Sequence, residues 1–349
     1  MSEATMERAA SFQIDSRTIG PGQPVFLTGE EGQANQGRLD VAQEMIHVAA
    51  RAGLDAIEFQ LAIAEDLYVR KHPMRAVYAQ REFSRGQLAA LFDTARQAGI
   101  IAYAAPLSSR LVPVLAEVGC PAFNINATDL NNPNLLDAVA QTGRPLFLSA
   151  MMAELTEIDW ALARLRRRQS GPVVLLHGQH VMMTGEGRGV PEHDVNLASL
   201  GFLAARYGLP VGFIDHTSNL LMPAIAAAAG ACMVTKHFTM SRALRGPDWH
   251  ICLEPEELAE MVRRVRLADA ARGAPGKRLA SGEAADRSQM RRSIVAASSL
   301  RAGTVLSPEH LTFKRPGTGL APHRVDEVVG RRLRVDLAED DPVRLEDTA

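Results

Sequence analysis

His216 closes the apolar run VGFIDH, and His237 closes MVTKH. Each follows a charged residue, Asp215 in the first run and Lys236 in the second. Neutral imidazoles carried by neighbouring strands can ligate one divalent ion of the Mn, Fe or Zn type. The plainer alternative is that each ring bonds the backbone, or that Asp-His-Thr caps a helix. Other apolar runs also turn polar at their ends. Glu30 and Glu31 follow PVFLTG, Glu58 and Gln60 sit in AIEFQLA, and Asn124, Asn126 and Asp129 belong to PAFNINATD. Ser149 ends PLFLS, and His177 and His180 stand in LLHGQH. The HGQH spacing is a poor zinc signal without a partner cysteine. Asp248, Trp249 and His250 lie together in a loop, where a ring beside a carboxylate suits a sugar or simple packing. Glu58 is the odd residue among these. A carboxylate inside an apolar run costs several kcal/mol to bury unless something pairs with it.

Regular elements must bring these side chains together. Eight short apolar runs, at 24–30, 54–60, 100–106, 121–127, 145–150, 172–178, 210–216 and 231–237, alternate with helical patterns. Residues 38–53 carry apolar side chains at helical spacing and end at Gly53. Residues 84–99 open on Ser84, a good N-cap, and end at Gly99. Residues 218–230 are apolar nearly all round. Eight such units predict an α/β fold, a (β/α)8 TIM barrel over residues 1–275, with its active site at the C-terminal strand ends. The absence of GxGxxG after the first run argues against a doubly wound sheet. Residues 276–290, rich in Gly, Ala and charge, read as a linker. Residues 291–349 have short β-type runs broken by Gly and Pro and read as a small β-rich domain.

Bulk properties narrow the function. The chain has 349 residues and a formal net charge of −2, so it offers no basic field for nucleic acid or an anionic membrane. Its three cysteines include no CxxC, which fits buried thiols in a reducing compartment better than disulfides or a thiolate zinc site. No run of 18 apolar residues occurs, and the polar start MSEATMERAASFQ is unlike a signal peptide. A cytoplasmic protein is expected.

The segments FIDHT (213–217), KHFT (236–239), GPD (246–248), RSIVA (292–296) and FKRPGTGLAP (313–322) resemble the sialic acid synthase (N-acetylneuraminate synthase) family. The likeness extends over about residues 12–347. It implies a metal-dependent barrel followed by an antifreeze-like SAF domain. The implied reaction condenses phosphoenolpyruvate with an N-acylated amino sugar and releases phosphate. It further implies that His216 and His237 hold Mn2+ or Mg2+, and that Glu30 handles water or a proton at the forming centre. Gln60 and Asp248 would contact the sugar. Arg315 would reach its N-acyl group from a partner subunit, in a domain-swapped homodimer. Lys236, Asp215 and Glu58 complete the expected catalytic set, with Asn124, Ser149 and His180 on the substrate side.

The phosphoenolpyruvate side departs from that family. Glu58 and Asn124 stand where the family has lysines, and Ala105, Ala127 and Ile214 replace hydroxyl residues. His180 replaces an asparagine, Ala34 and Asn35 replace an Asn-His pair, and Glu31 and Gln33 replace apolar residues. Lys to Glu removes two positive units and Lys to Asn one, three in all. At about 4 Å and an effective dielectric of roughly 20, each unit is worth about 4 kcal/mol toward a phosphate charge. Lys236, His180 or Arg188 could compensate, and Lys236 or a bound cation could pair with Glu58. Three readings follow: a synthase with a rearranged phosphoenolpyruvate site, an aldol-type or isomerase enzyme keeping only the metal and sugar half, or a non-catalytic carbohydrate-binding member.

Overall fold

The computed structural model describes residues 10–181, 189–274 and 276–349. The chain divides into two compact units, Met1–Ala274 and Pro275–Ala349. In the first, a short antiparallel hairpin, β1 (Phe12–Ile14) and β2 (Arg17–Ile19), precedes eight parallel strands. These are β3 (Phe26–Glu30), β4 (Ala56–Leu61), β5 (Ile101–Pro106), β6 (Phe123–Ile125), β7 (Leu146–Ser149), β8 (Val173–His177), β9 (Val211–Asp215) and β10 (Met233–His237). They close in sequence order, with β10 pairing back onto β3. Seven fall inside the runs read from the sequence and β4 passes its run by one residue, Leu61, so the TIM barrel stands.

The intervening helices form where the sequence places start and stop signals. The helix Arg85–Ala98 begins with a capping box between Ser84 and Gln87. It ends at Gly99, whose φ of 71° is the left-handed conformation that glycine adopts without a steric cost. The helix Leu39–Ala52 buries Ala42, Met45, Ile46, Val48 and Ala49, one face at helical spacing.

Strand alternation fixes what faces the barrel axis. Phe26, Tyr103 and Phe147 meet inside it, with ring centroids 6.5 Å (Phe26–Phe147) and 4.9 Å (Tyr103–Phe147) apart. At the N-terminal strand ends, Asp55 accepts hydrogen bonds from the Leu27 N–H at 2.8 Å and from Arg266 at 2.6 Å. This buried acid ties the last helix of the barrel, Pro255–Arg272, to the first strand pair.

The second unit is built around β11 (Ser293–Ala296) and β12 (Leu311–Lys314), an antiparallel pair. Its own core contains Ile294, Ala296, Leu300, Leu306, Leu311, Val328, Leu333, Leu337 and Val343. The stretch read as a linker carries a helix, Glu283–Met290. Its Ala, Glu, Arg and Gln are good helix formers and outweigh the preceding glycines. Among the described residues, no helix is long and apolar enough to cross a membrane.

Candidate active site

Register builds the site row by row. Glu30 lies beside Glu58, Glu58 beside Tyr103, and His237 beside Glu30 on its other side. Neighbours in a parallel ladder point to the same face, so these four side chains form one inward row across β10, β3, β4 and β5. All four are buried.

Glu58 is 0% exposed and is held by two neutral donors. The Tyr103 hydroxyl donates to one carboxylate oxygen at 2.8 Å, and the Asn124 amide donates to the other at 2.7 Å. Among the described residues it has no cationic partner. Burial pushes its carboxyl up to about 7, with the Asn124 and Tyr103 hydrogen bonds pulling the other way. Burial also raises Glu30 well above the usual carboxylate range, and the nearby charges of Glu58, Asp248 and Glu31 add to this. Glu31 is raised to about 7 by burial, against hydrogen bonds from its surroundings. It accepts from the Gln60 N–H at 3.1 Å and from the Asn35 amide, stapling the first loop to β4. Gln33 adds a second link, donating to the Gln60 carbonyl at 2.5 Å.

The structure corrects one expectation directly. Lys236 does not pair with Glu58. It forms an ion pair with Asp215 at 2.9 Å, both side chains being 0% exposed, and also donates to the Thr217 carbonyl. Alternation explains why: Lys236 precedes His237 on β10, so it points to the opposite face of the strand. Its register neighbour Asp215 does the same on β9. These two residues, read as catalytic, are sealed behind the histidines rather than placed in the barrel mouth. Asp215 also accepts the Thr217 N–H at 2.8 Å, which fixes the backbone around His216.

His216 and His237 do converge, with their Nε2 atoms 3.2 Å apart. Glu30 lies 3.4 Å from the His237 Nε2. Burial first, and then the Lys236 charge, pushes His237 down to about 3. Burial, then His237, holds His216 well below the ordinary histidine value. Both rings are therefore neutral and carry lone pairs, and both Nδ1 atoms are buried without a hydrogen-bond partner. Two neutral imidazoles beside a carboxylate fit a divalent ion. Among the described residues, no group of three or more His, Cys, Asp or Glu side chains forms a ready metal cage. An ion held here would complete its shell with water or substrate oxygens.

The remaining expected residues spread around this centre. Asn124 is buried in the middle of β6 and Ser149 at the end of β7, and Asn124 Oδ1 and Ser149 Oγ lack partners. Unpartnered buried acceptors and hydroxyls of this kind mark places where water or a ligand completes the bonding. The ring of His180 stands edge-on to His216, with centroids 5.2 Å apart. Gln60 is half-buried at the end of β4. Asp248 adopts a φ of 53°, a left-handed backbone seldom taken by a non-glycine residue. Trp249 and His250 stack on each other with centroids 3.8 Å apart, and Arg245 lies over the Trp249 ring. His177 faces away from the barrel axis and bonds the Val195 carbonyl at 3.0 Å. Arg315 is exposed in the second unit, directly after β12. Arg188 lies outside the described residues. Two clefts of about 460 and 560 Å3 open between outer helices, and none of these site residues lines them.

Sequence reasoning missed Tyr103 and the Glu31–Asn35 staple. Tyr103 had a signal, since it is the one polar-tipped side chain of IAYAAP and has inward parity with Ala105.

Residues 45–277 match the NeuB family, and residues 291–348 match the SAF domain. An uncharacterised protein of Methanocaldococcus jannaschii is 33% identical over 336 residues, covering 96% of this chain and 98% of that protein. The N,N'-diacetyllegionaminic acid synthase of Legionella pneumophila is 30% identical, covering 91% of this chain and 93% of the synthase. The crystal structure of an N-acetylneuraminic acid synthetase from Leptospira borgpetersenii, in complex with citrate, superposes with a TM-score of 0.74 at 28% identity. That match covers 80% of this chain and 95% of the synthetase.

Proposed function

Because the chain belongs to the NeuB family and carries that family's barrel and SAF domain, we propose that it forms a carbon–carbon bond at the carbonyl carbon of an open-chain N-acylated amino sugar. We further propose that the carbon nucleophile comes from an enolisable carbonyl compound rather than from phosphoenolpyruvate. The observation carrying this reading is Glu58. A fully buried carboxyl, satisfied by Tyr103 and Asn124, fills the position where the family resemblance implies a lysine for an anionic substrate. The buried lysine nearest in sequence to the site, Lys236, is neutralised by Asp215 on the far face of the sheet. A phosphate ester would meet Glu30, Glu31 and Glu58 with no unpaired cation from β3, β4 or β10 to receive it.

The same residues suit proton transfer. A carboxyl raised toward neutrality can take a proton from carbon and return one to oxygen near neutral pH. Glu30 is the proposed acid–base group, because it borders His237 and its carboxyl is raised by burial and by Glu58. The donor's α-carbon loses a proton to Glu30, its enolate carbon attacks the aldehyde carbon, and the new alkoxide regains a proton. No leaving group is required. A divalent ion held by His216 and His237 would supply Lewis-acid polarisation of the aldehyde oxygen. Gln60, Asp248 and His180 are the proposed sugar contacts. Arg315 is assigned to the N-acyl group through a domain-swapped homodimer, by resemblance to the family.

A second reading, phosphoenolpyruvate condensation, is favoured by the whole-chain likeness to named synthases and by the unpartnered Ser149 Oγ. Mass spectrometry of products decides between them. N-acylated hexosamines are incubated with Mn2+ and either pyruvate-type ketones or phosphoenolpyruvate. The first reading predicts adducts equal in mass to the sum of the two reactants, formed from ketones only. Adducts formed from phosphoenolpyruvate alone would replace it with the second.

A further inference from the structure

The connection between β4 and the helix Arg85–Ala98 carries an aromatic cluster outside the carboxylate and histidine centre. Tyr68 stacks on His72 with ring centroids 4.5 Å apart and meets Tyr78 edge-on at 5.2 Å. The Arg81 guanidinium lies 5.5 Å above the Tyr78 ring. Its Nη1 is buried without a hydrogen-bond partner, and its side chain forms no ion pair with any described residue. Arg75, Arg85 and Arg110, nearby in sequence, form ion pairs. A buried guanidinium N–H without an acceptor is unfavourable, so a ligand is the natural source of one.

Two contacts and one shared charge connect this cluster to the active site. The charge of Asp248 is felt by Glu30 and His216 on one side and by Tyr78 on the other. Gln36 donates to the Leu244 carbonyl at 3.2 Å, so the loop after β3 touches the loop that carries Asp248. A Cβ on Gly37 would come within 2.6 Å of the Gln80 carbonyl oxygen and 2.7 Å of the Arg81 Cα, so the same β3 loop packs directly against Arg81. Arg245 repeats the pattern of Arg81. It lies 5.5 Å over the Trp249 ring and has no carboxylate partner among the described residues.

We propose that Arg81 and Arg245 form an oxyanion-reading subsite on the rim of the barrel, taking a phosphate or carboxylate carried by the sugar at the end away from its carbonyl. Each guanidinium lies within cation–π reach of an aromatic ring, which restrains its N–H fork before the ligand arrives. The buried carboxyls of Glu30, Glu31 and Glu58 gather at the reacting end of the site, whereas Arg81 and Arg245 have no carboxylate partner among the described residues. A sugar with a neutral reacting end and an anionic far end matches that division. This inference rests on the reading that the mouth binds a sugar. Its test reads binding and not turnover, so it can stand or fall without the proposed reaction.

Calorimetric titration of the full chain with Mn2+ compares three probes: a neutral N-acetylhexosamine, its 6-phosphate and the corresponding uronate. Wild type should prefer one charged sugar over the neutral one by about 10- to 100-fold, the range of one or two charge-assisted hydrogen bonds. Arg81→Gln should lose most of that preference while keeping affinity for the neutral sugar, and Arg245→Gln should lose part of it. If Arg81→Gln fails to fold, Arg81→Lys reads the same contrast, because a single ammonium cannot replace the fork. Preference for the phosphate or for the uronate tells which oxyanion is read. Equal affinity for all three probes, no binding of either charged sugar, or a preference that survives in Arg81→Gln would overturn the proposal.

Discussion

Replacing Glu58 with glutamine separates the charge of this residue from its shape. The folded protein holds the carboxyl near 7, against about 4.5 in an unfolded chain, because burial disfavours the ion. The raised value sets the sign. Between about pH 4.5 and 7 the unfolded state releases its proton while the folded state keeps it, so stability falls as pH rises through that window. About 2.5 pH units at roughly 1.4 kcal/mol each give about 3 kcal/mol lost by pH 8. Glutamine carries no such term. Its amide can donate to the Tyr103 hydroxyl oxygen, and Asn124 can turn its unpartnered Oδ1 toward it. Glu58→Gln should therefore be more stable than wild type at pH 8, by about 3 kcal/mol and on the order of 5 °C in Tm for a domain of this size. The two proteins should converge near pH 5. Thermal melts from pH 5 to 8.5, with chelator present, measure the difference. Subtracting one curve from the other removes the Glu31 term, while the Glu30 carboxyl, which the Glu58 charge raises, relaxes downward in the variant and adds to the difference with the same sign. If Glu58→Gln is the less stable protein at pH 8, with the pH slope unchanged, then Glu58 is ionised in the native state and the reasoning fails.

Two further outcomes test the support of the histidine pair. Asp215→Asn or Lys236→Met should each destabilise the barrel by roughly 3–5 kcal/mol, because either leaves a buried charge alone, and the double variant should recover much of the loss. Chemical denaturation of the three variants reads this, and additive losses in the double variant would refute a mutual ion pair. His216→Ala and His237→Ala should each abolish Mn2+ uptake followed by paramagnetic resonance while keeping the melting transition. Unchanged uptake in both variants would remove the metal assignment.

The sequence revealed the barrel because its periodicity is local: each run of β-type residues and each capped helix can be read alone. The strand ends followed, and with them Glu30, Glu58, His216 and His237, since the active face of such a barrel is fixed by strand direction. What remained hidden depends on neighbours. Glu58 is satisfied by Tyr103 and Asn124, one adjacent in register and the other two strands away, and one sequence does not state how strands shift against each other. Lys236 was readable and was misread. Its position next to His237 already places it on the other face of β10, and naming it beside a bound cation as a partner for Glu58 overlooked alternation. Arg81 gave no signal, because it lies just past a short helix, Met74–Ala79, whose few residues show no clear apolar periodicity.

The central claim is that the barrel mouth has exchanged an anion cage for a cage of carboxyls. Phosphate release from phosphoenolpyruvate, measured side by side for wild type and Glu58→Lys with Mn2+ and a panel of N-acylated hexosamines, tests it most directly. The account predicts no release by wild type on any sugar and confines release to the lysine variant. Sugar-dependent release by wild type on any of these sugars would contradict it.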